Sequence, residues 1–108
     1  MSQVTTHVLD SSVGRPAAGV AVELQDARGR ALATGVTDAD GRVATLGPDS
    51  LEPGAYRLVF DTAAYFAATS TPTFYPRVTL DFAVADAAEH YHVPLLLSPF
   101  AYSTYRGS

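Results

Sequence analysis

The sequence predicts an all-β domain, a β-sandwich of about eight short strands with one short helix. Three observations carry this. Apolar and polar residues alternate in short runs, as at Val20-Ala21-Val22-Glu23-Leu24 and Tyr56-Arg57-Leu58-Val59-Phe60, the period of half-buried strands. Clusters of Gly, Pro, Asp and Ser separate these runs, supplying turn chemistry at short intervals. Only Thr62 to Thr69 has helical spacing, with Ala64, Tyr65 and Ala68 as its apolar positions in an Ala-rich stretch.

In chain order, Thr5 to Leu9 is β-branched and apolar and reads as the first strand. Its alternation puts Thr5, His7 and Leu9 on one face and Thr6 and Val8 on the other. Asp10 to Pro16 is a turn cluster, and Val20 to Leu24 a half-buried strand. A polar turn at Asp26 to Arg30, with Gly29 at its tip, leads to a strand at Ala31 to Thr37, diluted by Ala and Gly. Thr37 to Arg42 (T-D-A-D-G-R) is a compact turn whose Asp and Gly suit positive-φ positions, and Arg42 opens a strand through Leu46. After a loop with Pro48 and Pro53, Ala55 to Asp61 is the clearest strand of the chain. The helix follows, then a proline-bearing loop, then Arg77 to Val84 with Val78, Leu80, Phe82 and Val84 on one face. His90 to Leu97 and Phe100 to Tyr105 complete the set as strands joined at Ser98-Pro99.

The 108 residues suffice for one domain, spanning 1–108, with a core of its own. A net charge of −4 argues against a nucleic-acid partner. There is no cysteine, so neither disulfides nor thiol chemistry are available. No apolar run approaches a membrane span, and Met1 to Val4 lacks the charged-then-apolar build of a signal peptide. The expectation is a cytoplasmic protein without a membrane partner. All seven basic residues are Arg and none is Lys, a compositional bias that weakens the inference from any single Arg to a special role.

Chemistry concentrates at the C-terminus, E-H-Y-H-V-P-L-L-L-S-P-F-A-Y-S-T-Y-R-G-S from Glu89 to Ser108. His90 and His92 share a strand face. A His-x-His pair is also how a strand presents two nitrogens to zinc, and His7 can supply a third. A metal-dependent hydrolase is therefore open on chemistry alone, although Glu89 lies on the opposite face. Asp38 and Asp40 lack the remaining ligands and closing Glu of a calcium loop and read as turn residues. No G-x-S-x-G elbow is present, so an acyl-enzyme serine is not expected.

The chain resembles the transthyretin-related family, and within it the hydroxyisourate hydrolases of urate breakdown. The resemblance rests on T-T-H-V-L-D at Thr5 to Asp10, T-D-A-D-G-R at Thr37 to Arg42, G-A-Y-R-L-V-F at Gly54 to Phe60, H-Y-H-V-P-L-L-L-S-P at His90 to Pro99, and the terminal Y-R-G-S at Tyr105 to Ser108. G-x-P-x-x-G-V, T-D-x-x-G and P-G-x-Y-x-L recur in purely structural prealbumin-like modules and carry little weight. H-V-L-D, H-Y-H-V-P-L-L-L-S-P and terminal Y-R-G-S are the specific pieces. Ala101, where a Gly is common, is a minor departure.

The resemblance implies an eight-stranded transthyretin-like (prealbumin-like) sandwich assembled as a homotetramer, a dimer of dimers, with sites at the mouths of a central channel. It implies cofactor-free and metal-free hydrolysis of 5-hydroxyisourate to 2-oxo-4-hydroxy-4-carboxy-5-ureidoimidazoline by water. His7, Arg42, His92 and Ser108 are the implied catalytic residues, with Tyr105, Arg106 and Gly107 lining the substrate pocket and His90 peripheral. The two imidazoles would serve as base and acid, and Arg42 would stabilise the anion. The alternative in a different class is a prealbumin-like module that binds a small ligand and has no chemistry.

Overall fold

The computed structural model describes residues 2–108. Its elements are strands β1 (Val4–Asp10), β2 (Arg15–Pro16), β3 (Ala21–Asp26), β4 (Ala31–Val36), β5 (Arg42–Val43) and β6 (Gly54–Phe60), helix α1 (Thr62–Ala67), and strands β7 (Val78–Val84), β8 (Tyr91–Leu97) and β9 (Tyr102–Thr104). They form two sheets. One runs β4-β3-β6-β7, antiparallel throughout. The other runs β2-β1-β8-β9, with β5 also paired to β1. β2 meets β1 at Leu9 and Asp10, while β5 meets it at Thr6 and His7. The other edge of β1 is taken by β8, so the two short strands lie end to end along one edge. The result is a sandwich of two four-lane sheets, as the strand count predicts.

The expected alternation appears as burial. Val4, Val8, Val22, Leu24, Leu58, Phe60, Val78, Leu95 and Leu97 are fully or almost fully buried between the sheets. Each such side chain contributes roughly 1.5–3 kcal/mol relative to exposure. Thr5, His7 and Leu9 therefore face outward from β1, as do His92, Pro94 and Leu96 from β8.

Most ends shift by a residue or two, and three segments depart further from expectation. Arg15–Pro16, read as turn, pairs with the end of β1. The strand expected from Arg42 to Leu46 stops at Val43. Leu46 is still fully buried, but its N–H donates to Ser2 Oγ at 2.7 Å, so a side chain replaces the ladder. β9 is shorter than Phe100 to Tyr105 because the Ser98-to-Ala101 turn, closed at 2.9 Å, consumes Phe100 and Ala101. The helix runs from Thr62 to Ala67, with Asp61 Oδ1 accepting from Ala64 N at 3.2 Å as its N-cap. It docks on β1 through Tyr65, whose hydroxyl donates to Asp10 Oδ2 at 2.7 Å. Burial, with the Asp10 carboxylate beside it, pushes the Tyr65 phenol up to about 12. Among the described residues no helix is long and apolar enough to cross a membrane.

The topology places both ends of the chain side by side. β1 and β8 run parallel through the middle of their sheet, Thr5 opposite His92 and His7 opposite Pro94. Gln3 fixes the approach to β8: its amide donates to Asp86 O and Glu89 O at 3.1 and 2.8 Å and accepts from Leu51 N at 2.6 Å.

Candidate active site

The outer face of the β1–β8 sheet gathers the polar side chains that the core cannot hold. His92 projects from β8 beside Thr5 of β1, and His7 of β1 pairs directly with Arg42 of β5. Directly opposed residues present their side chains to the same face about 5 Å apart, so His7 and Arg42 are neighbours. Thr5, Thr6, Arg42, Val43, Ala44, His90, His92 and Ser108 line one concavity of about 290 Å³.

Arg42 is held there by the turn before it. Asp38 Oδ1 accepts from Asp40 N at 2.9 Å and Arg42 N at 3.0 Å, and Asp38 N donates to Arg42 O at 3.0 Å. Gly41, at φ +76°, donates to Asp38 O at 2.9 Å, and a Cβ there would lie 2.3 Å from Val8 O. No other residue fits a backbone that close at positive φ.

The tail is held as closely. Gly107 N donates to His92 O at 2.8 Å, a single antiparallel bridge beyond β9. A Cβ on Gly107 would meet His92 Cδ2 at 2.5 Å and Pro94 Cγ at 3.2 Å. The glycine thus lets the backbone press against the imidazole and carries Ser108 to the rim. Arg106 secures the tail from the other side. Its guanidinium lies 4.5 Å from the Tyr91 ring centroid, and its Nη2 lies 3.4 Å from His90 O and 3.6 Å from Glu89 Oε2.

His92 Nδ1 is 2.8 Å from Thr5 Oγ1, and His90 Nε2 is 3.0 Å from the same oxygen. The two rings lie 6.4 Å apart, nearly parallel at 19°. Burial holds the pKa of His92 below its ordinary 6.5, aided by the positive charge of Arg42 and by His90 and His7. A neutral imidazole with one nitrogen occupied by Thr5, in a pocket that Arg42 also lines, can accept a proton while charge develops beside it. Among the described residues no group of three or more His, Cys, Asp or Glu is placed to share a metal ion, so His7 does not complete a ligand set with His90 and His92. A larger concavity of about 590 Å³, on the outer face of the other sheet, is lined by residues such as Ala21, Thr34, Val36 and Val59 and contains no histidine. Volume alone therefore does not locate the chemistry.

The profile of the HIUase/transthyretin family matches residues 4–107. The chain belongs to that family. It is 47% identical over 115 residues to a 5-hydroxyisourate hydrolase of Caulobacter vibrioides, covering the whole of both chains. The solved 5-hydroxyisourate hydrolase of Klebsiella pneumoniae is 42% identical at a TM-score of 0.90, covering 100% of this chain and 94% of that one. A sea bream transthyretin solved with thyroxine also has a TM-score of 0.90, at 34% identity, covering 97% and 94% of the two chains.

Of the residues that the family resemblance points to, Arg42, His92 and Ser108 meet in the concavity, and Gly107 abuts His92. His7 stands beside Arg42 on the same face, next to the pocket lining. Tyr105 and Arg106 are not brought together with them. They border a separate cleft of about 340 Å³ with Leu80, Phe82, Tyr91 and Val93, because Arg106 turns to the Tyr91 ring. His90, read as peripheral, contributes to the pocket wall. The sequence does not single out Thr5. Its only signal is that it shares a strand face with His7, and the parallel pairing with β8 that gives it meaning is not written in either segment.

Proposed function

We propose that this chain hydrolyses 5-hydroxyisourate, opening the six-membered ring at its N1–C6 amide to give 2-oxo-4-hydroxy-4-carboxy-5-ureidoimidazoline. The observation that carries the reading is the convergence of His92, Arg42 and Ser108 in one concavity, with His7 beside it. A carrier has no need for imidazole, guanidinium and hydroxyl groups to converge. Amide hydrolysis needs an activated water, a group for the developing oxyanion and a proton donor for the leaving nitrogen.

His92, neutral near pH 7 because its pKa is lowered, takes the proton of the attacking water at Nε2. The Arg42 guanidinium holds the carbonyl edge and stabilises the oxyanion through its planar fork. His7 supplies the second imidazole, on the side of Arg42, for the leaving nitrogen. Ser108 hydrogen-bonds the ring. The working unit in this reading is the homotetramer that the family resemblance implies; among the described residues the outer edges of β7 and β9 lack strand partners and are open to pairing with a second copy.

The test is the ultraviolet decay of freshly generated 5-hydroxyisourate with and without the protein. Acceleration over spontaneous decay is expected. A folded, tetrameric sample that leaves the decay unchanged sinks the reading and favours the carrier, which ligand binding to the purified chain would then reveal. Within the same assay, Gly107→Ala is expected to lower kcat/KM by up to about 10²-fold with the thermal midpoint nearly unchanged. The added methyl must displace either the His92 ring or the tail, and the tail is an exposed end outside the core. A Gly107→Ala protein with full activity would show that the contact between tail and imidazole is dispensable.

A further inference from the structure

The Thr5 hydroxyl lies between two imidazoles, 2.8 Å from Nδ1 of His92 and 3.0 Å from Nε2 of His90. A hydroxyl has one proton to give and two lone pairs to receive. It can donate to one of these nitrogens only, so the other contact requires an N–H on the ring. The two histidines are thereby linked. If Thr5 donates to Nε2 of His90, its oxygen accepts from Nδ1–H of His92, and Nε2 of His92 is left bare towards the pocket. If Thr5 donates to His92 instead, the proton of His92 sits on Nε2, and the ring cannot act there as a base.

We propose that Thr5 is the positioning residue that selects the base tautomer of His92, and that His90 orients the Thr5 proton by accepting it. The proposal rests on the reading of His92 as the base for hydrolysis. Geometry fixes which nitrogens meet the hydroxyl, and the role of His92 as base sets the direction. The backbone of β8 aims His92 outward opposite Thr5, and Gly107 packs against the Cδ2 edge of the ring, so the ring has one settled orientation with Nδ1 on the threonine. Gln3 anchors the main chain at Glu89 and Arg106 reaches the carbonyl of His90, which fixes the approach of the second ring. Without an acceptor at Nδ1, nothing holds the proton of His92 on that nitrogen.

The experiment combines kinetics with nitrogen NMR of the imidazoles in the full-length protein. In the wild type the ring shifts of His92 should report Nδ1–H with a bare Nε2. Thr5→Val, which keeps the branched shape and removes the hydroxyl, should lower kcat by about 10²-fold with KM changed less than about threefold. It should also move His92 towards the Nε2–H form. Thr5→Ser, which restores the hydroxyl, should recover most of the rate and the Nδ1–H signature. His90→Phe, which removes the acceptor, should reproduce the tautomer change of Thr5→Val. Nε2–H on His92 in the wild type, or a Thr5→Val protein with unchanged kcat and tautomer, overturns the proposal. So does a Thr5→Ser protein as impaired as Thr5→Val, since the effect would then follow the threonine methyl. Failure of the underlying reading looks different: a folded His92→Ala protein would retain activity, whereas an inactive His92→Ala beside an unimpaired Thr5→Val rejects only the positioning role.

Discussion

His92→Ala is expected to lower kcat/KM for 5-hydroxyisourate by about 10²–10⁴-fold, the range for loss of a general base. The substitution removes the only pocket imidazole that is both in direct contact with Thr5 through Nδ1 and pressed by Gly107. The pH dependence carries the same signature. Burial first, and the charges of Arg42, His90 and His7 after it, hold the His92 pKa below 6.5. The wild-type acid limb of kcat/KM should therefore fall below pH 6.5, where protonation of Nε2 removes the base. The sign for stability follows from linkage. The folded chain binds this proton less readily than the unfolded chain, so stability is lost as pH falls from 6.5 through the lower folded pKa. His92→Ala should be less sensitive to acid over that window. A folded His92→Ala protein with the wild-type rate, or an acid limb unchanged by the substitution, would remove His92 from the role of base.

Much of the fold is legible in the sequence because burial and alternation are the same fact seen twice. Val20-Ala21-Val22-Glu23-Leu24 and Tyr56 to Phe60 alternate because one face meets the opposite sheet, and their inward residues are the buried ones. The short edge elements are less legible. Arg15–Pro16 carries no alternation and is a strand only because β1 offers an open edge. Ser2 takes the place of a strand partner at Leu46, which no local pattern announces. For the site, the specific family segments point to the face on which Arg42, His92 and Ser108 meet, and the i, i+2 spacing puts His90 and His92 on one strand face, as observed. What spacing cannot supply is which strands are neighbours. Thr5 and His92 are 87 positions apart in the chain and 2.8 Å apart in space, and only the parallel β1–β8 pairing joins them. The tail is a similar case. Read as one lining segment, it splits, with Gly107 and Ser108 at the histidine pocket and Tyr105 and Arg106 at the cleft beside Tyr91.

Arg42→Gln should show two effects with different origins. The first is on rate. The Asp38 turn holds the Arg42 backbone at both N and O, which sets where the side chain leaves the sheet and brings its guanidinium to the pocket wall for the oxyanion. Removing such a donor costs about 10²–10³-fold in kcat. The second effect is on protonation. Arg42 is the largest charge contribution depressing His92, after burial. Its loss lets the His92 pKa rise towards 6.5, and the acid limb should move upward in pH. Arg42→Lys separates the two. It keeps the charge, so the limb should stay near its wild-type position, while the loss of the planar fork still slows the reaction. A rate loss in Arg42→Gln with an unmoved limb would mean that the guanidinium acts on the substrate but sits too far from His92 to tune it. An upward shift with full kcat would mean the reverse, that Arg42 serves His92 and another group stabilises the oxyanion. With both effects in Arg42→Gln and only the rate effect in Arg42→Lys, one side chain on the short strand β5 would be doing both tasks, which explains why the turn before it is held by so many backbone contacts and tolerates only Gly at position 41.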